Sequence, residues 1–204
     1  LLPEPDAGVL KPYPIVGHNP IRQQSLLIYG DASSGKTEAM NKIAGLCIEK
    51  YGREYVNAVI VQGDDAHAVD FMSGIEAIDN RPVQFIGWDD MSGVALKKTE
   101  RSIFNSRRQI CKKRSGLNYG LILTMVACHR ITGQAGLDIS LHESYSGIWK
   151  TASTNPWDLS RFYSLVGDNG VQFLGEISKL REKDPSYKSH GLYRIGVGLA
   201  EIGH

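Results

Sequence analysis

The chain has 204 residues, enough for one domain with a full core, alone or with short appendages. Hydrophobic residues at 42% and charged residues at 22% are ordinary for a globular protein and exclude a disordered or fibrous chain. A net charge of +1 does not announce a polyanionic partner, and no apolar run approaches the roughly 18 residues of a membrane-spanning helix.

Residues 1–24 carry Pro3, Pro5, Pro12, Pro14 and Pro20 without a sustained period, which predicts an extended N-terminal arm ahead of one domain at 25–204. The apolar run Leu26–Tyr29 predicts the first strand. Gly30-Asp31-Ala32-Ser33-Ser34-Gly35-Lys36-Thr37 follows directly, the G-x-x-x-x-G-K-T pattern of a phosphate-binding P-loop, or Walker A motif. Each part has a mechanical duty. The glycines let backbone N–H groups wrap a phosphate chain, and the helix that follows aims its positive dipole end at the same phosphates. Lys36 brings a point charge to the outer phosphates and the Thr37 hydroxyl is a ligand for Mg²⁺, so ATP with Mg²⁺ is the expected occupant. Apolar residues at helical spacing then predict a helix over Lys36–Tyr51.

Ala58–Gln62 predicts a buried strand ending in Gly63-Asp64-Asp65, and Ala66–Ile78 a helix. Val83–Trp88 predicts a third strand that ends in Asp89-Asp90. Either acid pair could complete the nucleotide site, because ligands of open α/β sheets bind at the carboxyl ends of strands. The later pair is preferred, since a complete strand–helix unit separates it from the P-loop; Asp64 or Asp65 is then a helix cap. Asp89 would hold the Mg²⁺ shell and Asp90 would orient and deprotonate the attacking water. Ser92–Lys113 predicts one long helix, within or beside which Lys97, Lys98, Arg101, Arg107, Arg108, Lys112, Lys113 and Arg114 face the single acid Glu100. That concentration reads either as a solvated face or as a surface directed at phosphate.

Leu121–Cys128 predicts a continuous apolar strand with His129-Arg130 at its tip. The motif spacing resembles that of P-loop ATPases with an extra strand inserted beside the first. In that topology this strand lies between the P-loop and Asp89 strands and its tip would face the γ-phosphate, which makes His129 a candidate sensor. Tyr145–Ala152 predicts a weaker fifth strand, Trp157–Val166 and Val171–Arg181 predict helices, and Gly191–Val197 a last strand. Alternating strands and helices with continuous apolar strands predict a parallel sheet covered on both faces. Cys47, Cys111 and Cys128 have no metal-ligand spacing and their odd count fits reduced core thiols; with no secretory pattern at the start, an intracellular protein is expected.

In this order the motifs resemble the FtsK–HerA superfamily of DNA-pumping ATPases. The resemblance runs over roughly 26–152: the P-loop, a strand ending in two acids, a basic helix, and a strand ending in a polar residue and Arg before Ile131-Thr132-Gly133. Two positions depart from the family pattern, in which the acid pair is usually Asp-Glu and the fourth strand ends in Gln-Arg. Here they are Asp89-Asp90 and His129-Arg130. The compact form is similar to genome-packaging ATPases of viruses with internal membranes. The resemblance implies a RecA-like P-loop NTPase fold of the additional-strand type, with a mostly parallel sheet flanked by helices. It also implies a homo-oligomeric ring, hexamer or pentamer, that hydrolyses ATP with Mg²⁺ and moves double-stranded DNA through sequence-independent phosphate contacts. The partners implied are a viral capsid or internal-membrane vertex, reached in the host cytoplasm during assembly. An arginine from the neighbouring subunit, at the end of the helix before the sensor strand, would complete each site; Arg114 matches best, with Arg107 and Arg108 close behind. A small-molecule kinase and a nucleotide-gated assembly switch use the same P-loop and are the alternatives.

Overall fold

A computed structural model describes residues 21–30, 34–63, 69–129, 147–151, 179, 190–194 and 198–203. Along the chain run β1 (Arg22–Tyr29), α1 (Lys36–Tyr51), β2 (Val56–Gln62), α2 (Phe71–Glu76) and β3 (Val83–Asp89). They are followed by α3 (Lys98–Asn105), α4 (Arg107–Ser115), β4 (Leu121–Cys128), β5 (Gly147–Thr151), β6 (His190–Arg194) and β7 (Gly198–Gly203). The sheet order is β2-β3-β4-β1-β5-β6-β7. Its first five strands are mostly parallel, with β5 parallel to β1, and helices flank them. The apolar strand β4 is buried along its whole length, and it separates the P-loop strand from the Asp89 strand. This is the additional-strand arrangement expected from the motif spacing.

Several boundaries differ from the sequence expectation, each for a local reason. β1 starts at Arg22, where the backbone N–H donates to Gly120 O at 3.0 Å; its first three side chains are exposed and polar, so the apolar pattern begins late. β2 lies at a sheet edge and is only half-buried beyond Asn57, contrary to the buried strand expected. α2 is short because Asp70 caps it, accepting the Met72 N–H at 3.0 Å and the Ser73 hydroxyl at 2.6 Å. Instead of one long basic helix there are two, beginning only at Lys98. Gly93, at φ 77°, and the Val94 N–H bonded to Met91 O keep the preceding stretch in a turn. At Ser106 the N–H is shared between the carbonyls of Ser102 and Ile103, a tightened last turn, and Arg107 starts the second helix. The final strand is a hairpin: β6 pairs antiparallel with β5, and β7 antiparallel with β6. The sheet is thus mostly parallel, as expected, with the antiparallel pairing confined to that edge. The arm at 1–20 and the helices expected over Trp157–Val166 and, Lys179 apart, Val171–Arg181 lie outside the described residues.

The chain divides into two compact units, one holding Glu38–Trp88 and Leu96–Met125, the other Ser25–Thr37, Asp89–Ala95 and the chain from Val126 onward. In the first unit, Phe71 stacks on Trp88 at 4.9 Å, with Phe104 tilted against both at 5.6 and 5.9 Å. Such pairs add about 0.5–1.5 kcal/mol each beyond the area they bury. The Trp88 indole N–H donates to Phe71 O at 3.0 Å, and the buried Arg107 guanidinium lies 4.0 Å over the Phe104 ring. Gly87 leaves room for Met40 of α1: a Cβ there would fall within 2.3 Å of the Met40 sulfur. The absence of that side chain lets α1 lie close on β3. Near the outer strand, Arg81 ties Asp79, Val56 O and Asn57 together, and Gln84 bonds to Asn57 and Asp79.

Candidate nucleotide site

All the interactions of the candidate site described below belong to the second unit. At the end of β1 the Gly30 N–H bonds to Cys128 O of β4 at 3.4 Å, which docks the start of the P-loop beside the β4 tip. Gly35 takes φ 85°, a left-handed conformation that suits glycine and turns the chain into α1. Lys36 is the first residue of that helix and only 8% exposed. Its ammonium donates to Gly30 O at 3.0 Å, across the mouth of the loop. A buried cation resting on a loop carbonyl is suited to exchange that contact for a phosphate oxygen. Asp31, Ala32 and Ser33 fall outside the described residues, as do Asp64, Asp65 and Arg130.

The next residue, Thr37, donates its hydroxyl to Asp89 Oδ2 at 2.5 Å. Two hard oxygen ligands from separate elements thus meet beside the loop, a donor set that fits Mg²⁺. Among the described residues no group of three or more His, Cys, Asp or Glu side chains could cage a metal. A nucleotide-bound Mg²⁺ needs no such cage, because phosphates and water fill most of its octahedron.

Beyond Asp89 the chain turns sharply. Asp90 has φ 54°, the one non-glycine residue with positive φ among those described. A left-handed aspartate is tolerated but costs of order 1 kcal/mol, and such outliers persist where the surroundings impose them. Here the Met91 N–H is tied to Ala127 O of β4 at 2.8 Å. The turn carries the Asp90 carboxylate to His129: Oδ1 lies 2.9 Å from Nδ1. Ser92 closes the group, its Oγ 3.1 Å from the same Nδ1 and accepting the His129 N–H at 3.0 Å. The side chains of His129 and Asp90 stay open to solvent at 34% and 58%. Ser92 was not singled out by the sequence, which read it only as the start of the long basic helix.

The three arginines at the end of the basic stretch differ in situation. The guanidinium of Arg114 donates to Ile75 O, Glu76 O and Ile78 O at 3.1, 2.7 and 2.8 Å, holding the last two carbonyls of α2 and one just beyond it. Arg107 is 1% exposed and bonds to Phe104 O at 2.6 Å, whereas Arg108 is exposed.

No protein-family model and no curated protein matches the chain. Solved structures do. The genome-packaging NTPase B204 of Sulfolobus turreted icosahedral virus 2, in complex with ATPγS, matches with a TM-score of 0.53 and 8% identity over 89% of this chain and 97% of that one. The same NTPase in complex with AMP gives 0.53 and 9% over 96% and 98%. B204 of Sulfolobus turreted icosahedral virus, a DNA-packaging ATPase, gives 0.52 and 11% over 92% and 98%. At such identities the match speaks for the fold: the chain has the α/β P-loop NTPase fold of these viral packaging enzymes, the group its motif order resembles.

Proposed function

We propose that the chain is an ATP-hydrolysing, ring-forming motor that moves double-stranded DNA, packaging a viral genome into a capsid in the host cytoplasm. The observation that carries this reading is the contact between Thr37 of the P-loop helix and Asp89 of β3, with β4 set between their strands. It joins the two halves of a nucleotide site that the sequence separates by 52 residues. The fold shared with packaging NTPases, one of them solved with both ATPγS and AMP, supports the same reading.

In the proposed site Gly30–Thr37 hold the phosphates, with Lys36 moving from Gly30 O onto the outer phosphate oxygens. Thr37 and Asp89 hold Mg²⁺, which when bound neutralises charge on the transferring phosphoryl group. Asp90 and His129 occupy the γ-phosphate end, where the attacking water enters. An arginine from the next subunit completes the site. Arg108 suits that role best, being exposed, whereas Arg107 is buried and Arg114 is engaged on α2. DNA would be gripped by its phosphates, independent of sequence, as a whole genome requires.

Measuring ATP turnover with and without double-stranded DNA, beside the mass of the assembly, tests this reading. DNA should raise turnover, and the rise should fade with added salt. Turnover of a dilute monomer that ignores DNA would instead identify a kinase or a nucleotide-gated switch.

A further inference from the structure

The cluster at the tips of β3 and β4 divides labour in a way that the residue types alone do not suggest. A carboxylate only accepts hydrogen bonds, so the proton between Asp90 Oδ1 and His129 Nδ1 is carried by Nδ1. The Ser92 hydroxyl oxygen lies beside the same Nδ1 and also takes the His129 backbone N–H. The one Nδ1–H is thereby shared between Asp90 Oδ1 at 2.9 Å and Ser92 Oγ at 3.1 Å, and the same serine holds the His129 backbone N–H. In the neutral ring this leaves the lone pair on Nε2, the nitrogen directed away from both partners. His129 follows Cys128, whose carbonyl is bonded to the Gly30 N–H, so its backbone lies beside the residue that opens the phosphate loop. Asp90 points its carboxylate at the ring, and its left-handed backbone holds it in that turn.

We propose that His129, through Nε2, is the group that takes the proton from the attacking water, and that Asp90 and Ser92 are positioning residues that set its tautomer and orientation. This inference rests on the ATP-hydrolysing reading of the site. As the water oxygen bonds to the γ-phosphorus, its proton passes to Nε2. The bond from that phosphorus to the β–γ bridging oxygen breaks, and its electron pair leaves with ADP. The imidazolium formed is stabilised by Asp90 and returns its proton to solvent, leaving ADP, inorganic phosphate and a neutral ring. A base–orienter pair of this kind supplies roughly 10²–10⁴-fold in rate.

The test combines the wild-type chain with three variants. Long-range ¹H–¹⁵N spectra of the ¹⁵N-histidine-labelled wild type should show His129 protonated at Nδ1, and Asp90→Asn should change that tautomer population. His129→Gln and Asp90→Asn should each lose about a hundredfold or more in kcat while binding ATPγS as the wild type does. Ser92→Ala should lose about tenfold in kcat with KM unchanged and a shifted His129 resonance. Kcat within a few-fold of wild type in His129→Gln, with Asp90→Asn inactive, would overturn the proposal and return the base to Asp90. A wild-type His129 protonated at Nε2 alone would overturn it equally. Failure of the wild type to hydrolyse ATP would refute the underlying reading of the site, whereas the tautomer is read without turnover and reports on the pair by itself.

Discussion

Lys36 and Arg114 show how residues that look alike in the sequence separate in the structure. The Lys36 ammonium lies on the P-loop's own carbonyl, so Lys36→Ala should abolish ATP hydrolysis and leave the circular dichroism spectrum and melting profile close to wild type. Arg114 holds three backbone carbonyls at the end of α2. Arg114→Ala should therefore cost about 1–3 kcal/mol, read as a melting temperature lower by several degrees. Arg108→Ala should leave the melting temperature unchanged and, in the proposed ring, lower turnover. Thermal scans beside ATPase assays distinguish the two. Nothing in a run of Lys and Arg separates a helix-capping arginine from an exposed one, because the carbonyls it meets lie 36 to 39 residues away. Titration adds two further outcomes. Burial pushes the Cys111 thiol up to about 11, with Asp79 nearby acting in the same direction, and burial also raises the Cys47 thiol against the opposing charge of Lys50. Both should resist iodoacetamide at pH 8 and react fully once the chain is unfolded, as mass spectrometry would record. Burial on its own would raise the Asp79 carboxyl, but hydrogen bonds from Arg81 and Gln84 outweigh it and hold the group below its ordinary value of 3.8. A lowered folded value means that this contribution to stability is present at neutral pH and is lost as pH falls below about 4. Urea unfolding at pH 7 and pH 3 should show a smaller difference for Asp79→Asn than for wild type.

The basic stretch gives the plainest lesson among the elements. Glu100, the lone acid there, accepts the Lys97 N–H at 2.6 Å and so marks the start of α3. Its charge is secondary to its reach, as in the reciprocal half of a capping box. Glu100→Ala should cost about 0.5–2 kcal/mol while Glu100→Gln costs little, a contrast that chemical denaturation can resolve. Helix α2 leans on Trp88 through Gly74, where a Cβ would come within 2.7 Å of the indole ring. Gly74→Ala should destabilise the chain by roughly 1–3 kcal/mol, since the ring is fully buried and cannot retreat. What the sequence made legible were α1 and β4, because a P-loop fixes one helix start and eight buried residues in a row leave little room for another reading. The break at Ser106 was hidden because no glycine or proline marks it; it follows from a tightened turn beside the buried Arg107. The hairpin β6–β7 was hidden because its residues resemble one continuous strand, and only pairing reveals that the chain doubles back.

At the scale of the whole molecule, the proposed ring makes a prediction that no single subunit could satisfy. If Arg108 acts across a boundary, mixing inactive Arg108→Ala with inactive Lys36→Ala subunits should restore part of the turnover, because some boundaries then join an intact loop to an intact arginine. Specific activity should also rise with protein concentration, followed by turnover and light scattering on the same samples. The Thr37–Asp89 partnership was foreseeable as one of two, since a P-loop requires an acid and the sequence offered Asp64-Asp65 as the rival pair. The Asp90–His129–Ser92 cluster was not. Its members were visible as separate polar residues, but their union depends on a left-handed turn that no residue pattern announces.

That turn also bears on how such a site can drift over generations. Glutamate, the nearest chemical substitute for Asp90, is ill suited to a left-handed backbone and its longer arm would overshoot the imidazole held by Ser92. A lineage exchanging Asp-Asp and His for the Asp-Glu and Gln pattern of the resembling superfamily therefore crosses a valley if it changes one residue at a time. The two positions should covary, and Asp90→Glu paired with His129→Gln should recover more turnover than either exchange alone.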